Sequence, residues 1–207
     1  MEEKKLTERE SIELITSMIS RTKERYIGDG NILLMWGYLV VIVTITVWVL
    51  QATTLRRELL WLWFLIPLVG GVATPLMSRK RHLKSGVKTY SDNVTSRLWA
   101  IVGVSEVILT IICLCLAQLL KVNAWSSMLV YTLLVVPFAE LTQGLIVREK
   151  CLVYGGLTGL AIGAIFICSV AGQMVLYAHW FLPLFIIAFI AMMIVPGHIL
   201  NYKAKKR

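Results

Sequence analysis

Apolar residues gather into six long stretches, at about 31–51, 59–77, 98–119, 128–147, 151–171 and 181–200, separated by short polar connections. A helix rises about 1.5 Å per residue, so roughly 20 residues cross the hydrocarbon core of a bilayer, and each stretch has that length. Pro67, Pro75, Pro137, Pro183 and Pro196 lie within or near these runs. A soluble helix rarely tolerates that, whereas helices packed in a membrane can re-satisfy the freed carbonyls. Ahead of the first run the pattern changes. In residues 7–27, Ile12, Ile15, Met18, Ile19 and Tyr26 recur at helical spacing among charges, which predicts an amphipathic helix. Thr7 and Glu10 form a capping box, Arg21, Lys23 and Arg25 suit the helix end, and Gly28 closes it. The expected fold is therefore all-α and integral to a membrane. Six transmembrane helices form three antiparallel hairpins (31–202), preceded by an amphipathic cytoplasmic helix (1–30) and followed by a basic tail (203–207).

Charge gives the expected orientation. The net charge is +9, from 21 Lys and Arg against 12 Asp and Glu. Segments 1–30 and 78–97 hold six bases each, Arg148 and Lys150 add two, and the tail adds four. The intervening connections hold only Arg56, Arg57 and Lys121. By the positive-inside rule both termini are cytoplasmic. Aromatics mark both expected interfaces, with Trp48, Trp61, Trp63, Trp125, Tyr177 and Trp180 outside and Trp36, Trp99 and Tyr154 inside. The composition agrees: 57% of residues are hydrophobic, above the 45–50% or so usual for soluble domains, and mean hydropathy is +0.75. The first 17 residues lack an apolar core and a small-residue cleavage site, so the first span is expected to direct insertion.

A faint repeat supports the hairpin reading. Each outward-going span opens on an aromatic-small pair, Trp36-Gly37, Trp99-Ala100 or Tyr154-Gly155, and each returning span ends at a base. Four motifs stand out: LTERESIELITSMISRTKERY before the first span, GNILLMWGYLV opening it, the basic KSGVKTYSDN connection, and the terminal IVPGHILNYK. With these the chain resembles an uncharacterised family of small bacterial membrane proteins. The resemblance implies the six-span layout in the bacterial inner membrane and brings no activity with it.

Ionisable groups inside apolar spans cost a few kcal/mol to insert, which makes Glu106 and Glu140 the leading candidates for a functional site. Glu106 stands nine residues past Arg97 and Glu140 eight before Arg148, so the spacing predicts similar depths on adjacent antiparallel spans. Two facing carboxyls without a base would share a proton or hold a cation, with Ser105, Thr142 and Gln143 as neutral ligands. The competing reading makes each Glu a neutral hydrogen-bonding contact between helices. Gly155, Gly159 and Gly163 lie at the spacing that brings helix backbones together, within one chain or between copies. Pro196 would bend the last span, and His198 beside it could act as a gate or relay.

Other chemistry is sparse. His82, His179 and His198 fall on separate segments and compose no metal site, and no cofactor motif is present. Cys113, Cys115, Cys151 and Cys168 lie within or at the edge of apolar runs, without the spacing of a redox or metal pair. Signatures of hydrolases, zinc peptidases and nucleotide-binding enzymes are missing, so no enzyme is expected. The basic loop around Arg79–Lys84 and the tail from Lys203 suit anionic lipid headgroups at the cytoplasmic face. They lack the aromatic interleaving of a nucleic-acid surface. Two functions stay open. One is a small proton- or cation-coupled transporter or channel. The other is a non-transporting regulator or assembly factor that forms homo-oligomers and recruits a cytoplasmic protein through its N-terminal helix.

Overall fold

The computed structural model describes Thr7, Arg9, Ile12, Glu13 and Thr16, then residues 30–54, 57–85, 90–122 and 124–206. Most of the expected amphipathic helix at 7–27 thus lies outside the described residues. Among the described residues the chain is helical with no strand, and six helices are long and apolar enough to cross a membrane. They are α1 (Asn31–Thr54), α2 (Leu65–Ser85, entered through a 3-10 helix at Arg57–Phe64), α3 (Tyr90–Cys115, ending in a π-helical turn at Leu116–Leu120), α4 (Trp125–Val147), α5 (Lys150–Ala171), and a long broken helix. The last consists of α6 (Ala178–Phe189), a π-helical turn at Ile190–Ile194, and α7 (Val195–Lys205).

The breaks have chemical causes. Pro196 has no N–H to give the preceding turn. The chain takes up an extra residue there, and the Val195 N–H reaches back five positions to the Ile190 carbonyl. At the other end of the bundle, Lys121 adopts a left-handed conformation (φ 57°) and its N–H caps the Leu116 carbonyl, which stops α3. Arg148 does the same for α4 (φ 59°, N–H to the Gly144 carbonyl), so α4 turns into α5 through Arg148 and Glu149 alone.

Glycine sets how closely α4 and α5 run. A Cβ added at Gly156 would fall 2.7 Å from the Leu141 nitrogen and the Pro137 oxygen, and one at Gly159 would fall 2.7 Å from the Pro137 Cβ. Gly144 on the facing helix is equally tight, with the Val153 nitrogen 2.8 Å away. The Gly155–Gly163 stripe is therefore occupied within the chain: Gly155, Gly159 and Gly163 are all buried. Around this pair the core is built from phenylalanines at helical spacing. Phe181, Phe185 and Phe189 on α6 follow one another in ring contact, and Phe166 of α5 lies 4.5 Å from the Phe181 ring.

The first and last helices close the bundle through two of the motifs noted in the sequence. The Gly30 N–H donates to Asn201 Oδ1 at 2.7 Å, and Asn201 Nδ2 donates to Asn31 Oδ1 at 2.8 Å. Gly197 sits against Leu34, where a Cβ would come within 2.7 Å of Cγ. Beside them the Lys203 ammonium binds the buried Glu149 carboxylate, tying α7 to the α4–α5 turn. GNILLMWGYLV and IVPGHILNYK are thus two halves of one contact.

Two helices stand apart. A third or more of the most apolar stretch of α1, α4, α5 and α6–α7 is buried, against 6% for α2 and 11% for α3. Among the described residues the pair α2 and α3 is also missing from the extensively packed helix pairs, although α1 packs on α2 and α3 on α4.

Candidate functional site: an acidic groove between α2 and α3

The space left between α2 and α3 is a groove of about 1430 Å³, walled also by α1, α4 and α6. Its length follows the bundle, from Gly30 and Asp92 near one end to Gln51 and Trp125 near the other. One face of α3 supplies a continuous edge: Asp92, Ser96, Trp99, Gly103, Glu106 and Thr110 recur at three- and four-residue steps and all line the groove. This stripe mixes an indole, two acids and two hydroxyls on a helix that is otherwise mostly apolar beyond Arg97.

Glycine opens the groove where it closes the core. A Cβ at Gly103 of α3 or at Gly71 of α2 would meet nothing within 4 Å. Both positions line the groove, so their missing side chains widen it from opposite walls. Gly70, one residue earlier, serves a different end: the six-membered ring of Trp36 abuts it, where any Cβ would collide. The Trp36 indole N–H donates to Thr74 Oγ1 at 3.0 Å, and the Trp99 indole N–H to Gln143 Oε1 at 2.7 Å. Trp36 and Trp99 thus give their N–H groups to partners inside the protein, and both line the groove.

Glu106 is the acid midway along the groove. Its Oε1 lies 3.0 Å from Thr132 Oγ1 on α4, and the same hydroxyl lies 2.8 Å from the Met128 carbonyl. A hydroxyl carries one proton. When Glu106 is ionised, Thr132 donates to it; when Glu106 is protonated, the acid can donate to Thr132, which then donates to Met128. Thr132 thus accommodates both states of the carboxyl without moving a heavy atom.

Glu140 is elsewhere. It is fully buried, does not line the groove, and points at α5, with Oε1 2.9 Å from the position a Cβ on Gly155 would take. Met192 and Pro196 crowd the same spot. The carboxyl fills the space left by Gly155, and neither oxygen has a hydrogen-bond partner among the described residues. The two carboxyls do not meet. Their depths differ because α3 begins at Tyr90, well before Arg97, and the α3–α4 register is set by Trp99 against Gln143 and Thr110 against Met128. In that register Glu140 faces about residue 100 of α3, so Glu106 stands about six residues, roughly 9 Å, further along the axis.

Of the remaining candidates, Gln143 lines the groove and accepts from Trp99, whereas Ser105 and Thr142 give their hydroxyls to carbonyls of their own helices, Val102 and Phe138. Pro196 is buried at the broken last helix. His198 is exposed away from the groove, and its Nε2 lies 2.8 Å from the Tyr38 hydroxyl of α1. No cluster of His, Cys, Asp and Glu suited to a metal occurs among the described residues. Sequence reasoning missed Thr132, Gly71 and Gly103. The heptad-like recurrence of polar and small residues along 92–110 is the signal that marks this face. Comparison of the chain with protein-family models, with curated proteins and with solved structures finds no match.

Proposed function

We propose that this chain is a six-span protein of the bacterial cytoplasmic membrane, arranged as three hairpins with both termini in the cytoplasm, and that it works as a small proton- or cation-coupled transporter centred on Glu106. One observation carries the reading: an ionisable side chain stands midway along an open groove between two loosely packed helices, 3.0 Å from a hydroxyl that suits both of its protonation states. A carboxyl serving only as a helix contact would be enclosed, as Glu140 is. A carboxyl that exchanges a proton for a solute must be reachable by both, and the groove meets that need. The weak packing of α2 against α3 supplies a part that can move without breaking the core.

The regulator reading keeps its N-terminal helix, which lies largely outside the described residues. Its glycine stripe is taken up between α4 and α5, which leaves that surface unavailable to a second copy.

The test is flux in proteoliposomes with an imposed pH gradient, using a panel of anionic, neutral and cationic solutes. Transport of any class that depends on the gradient and is lost in Glu106→Gln supports the proposal. Gradient-driven transport unchanged in Glu106→Gln, or no movement of any class by protein shown to be folded, would overturn it.

A further inference from the structure

The lining of the groove also bears on what it would hold. The protein carries nine net positive charges, yet among its described residues no Lys, Arg or His lines the groove, while Asp92 and Glu106 both do. An anionic ligand would find no countercharge among these described lining residues. The walls are otherwise uncharged among the described residues, mostly apolar and rich in rings: Trp36, Trp63 and Trp99 line the space, and Phe181, Phe185 and Phe189 reach it from α6. Indole faces are the best partners for a cation among protein side chains, above all for one too weakly hydrated to resist leaving water. Because Trp36 and Trp99 are anchored by their N–H groups to Thr74 and Gln143, their rings are held in place before any ligand arrives. The volume, about 1430 Å³, exceeds that of most sites for drug-sized molecules.

We infer that the groove binds lipophilic organic cations, of the quaternary ammonium or arylphosphonium kind, with the positive centre held by the Glu106 carboxylate and the apolar substituents lying against the tryptophan rings. Proton coupling follows from the same residue. The cation and the proton compete for one carboxyl, so a cation binds the ionised acid and its departure allows the acid to take a proton. Entry is sideways between α2 and α3, from the layer where such molecules concentrate. This assignment rests on the transporter reading for its purpose but not for its test.

The probe is tetraphenylphosphonium, compared with tetraphenylborate, an anion of the same shape, by equilibrium dialysis and tryptophan fluorescence on the purified full chain in nanodiscs, with empty nanodiscs as the blank. Saturable binding of the phosphonium is expected, weakened by roughly tenfold or more in Glu106→Gln, as befits loss of a charge partner in a partly desolvated site. Gly103→Leu keeps every charge and fills the groove where the structure has open space, and it should abolish the binding while the protein stays folded. Lowering the pH should weaken the wild type and leave Glu106→Gln unchanged. Equal saturable binding of the borate, or phosphonium binding that survives both variants, would overturn the assignment. If the phosphonium binds through Glu106 but is not carried across a bilayer, the ligand assignment stands and the transporter reading falls. If another solute class is carried in a Glu106-dependent way and the phosphonium does not bind, the reverse holds.

Discussion

Two glycine-to-alanine changes, Gly156→Ala and Gly103→Ala, should move stability in opposite directions, and the structure supplies the sizes. At Gly156 the new methyl would sit 2.7 Å from backbone atoms of Leu141 and Pro137. Carbon contacts are comfortable at about 3.5–4.0 Å, so α4 and α5 must part by roughly 1 Å. Neither helix can yield locally, because the same pair is so close at Gly144 and Gly159 that a Cβ there would also fall 2.7–2.9 Å from its neighbours. A gap of that size forfeits a quarter to a half of each dispersion contact, about 0.05 kcal/mol apiece, and a face of some 40 contacts loses about 2 kcal/mol. Overpacked cores lose about 1–3 kcal/mol, in agreement. Replacing a helical glycine returns about 0.5–1 kcal/mol, leaving Gly156→Ala destabilised by about 1–2 kcal/mol. At Gly103 nothing opposes the methyl, so only the gain of about 0.5–1 kcal/mol remains. For a chain of this size each kcal/mol is worth about 2–4 °C. Thermal denaturation of the three proteins in one detergent should place Gly156→Ala about 2–8 °C below the wild type and Gly103→Ala about 1–4 °C above it. If Gly156→Ala melts at or above Gly103→Ala, the α4–α5 contact is not set by glycine and the reasoning fails.

Further outcomes follow from the same geometry. Lys203→Met leaves the Glu149 carboxylate buried without its ammonium, and the protein should lose about 1–3 kcal/mol, read as a lowered denaturation midpoint; Glu149→Gln together with Lys203→Met should recover part of it. Thr132→Ser should keep Glu106-dependent binding and flux, whereas Thr132→Val, which removes the hydroxyl but not the bulk, should lower flux by about tenfold or more, measured in proteoliposomes. Trp36→Phe should cost about 1 kcal/mol in thermal denaturation from the lost bond to Thr74, and it should weaken phosphonium binding in dialysis because the phenyl ring is no longer anchored.

How far these features were legible in the sequence depends on what the bilayer hides. Span number and approximate limits follow from length and apolarity alone, and six suitable helices occur where they were expected. Which face of each helix is buried does not follow, because a lipid-facing residue and a core residue are equally apolar; α1 is apolar all round, and nothing in its pattern points Trp36 at Gly70. Glycine is ambiguous in the same way. The spacing of Gly155, Gly159 and Gly163 announces close packing, and the structure finds it between α4 and α5, yet isolated Gly103 and Gly71 look alike whether they close a contact or open a groove. The carboxyls were misaligned because Arg97 served as the edge of the span. That choice fails where a helix runs on past its first base, as α3 does from Tyr90. Polar and small positions along 92–110 were the one readable trace of the groove. Their step is regular, but it shows only when the Trp, Gly, Glu and Thr are counted as one face.

The central claim is that Glu106 stands in an open groove and Glu140 in a closed core, and carbodiimide modification tests it most directly. Dicyclohexylcarbodiimide enters membranes and reacts with protonated carboxyls it can reach, and peptide mass spectrometry locates the adduct. The account predicts an adduct on Glu106 that tetraphenylphosphonium prevents, with Glu140 unmodified in folded protein. An adduct on Glu140 with Glu106 untouched, or labelling of Glu106 that excess phosphonium leaves unchanged, would contradict it.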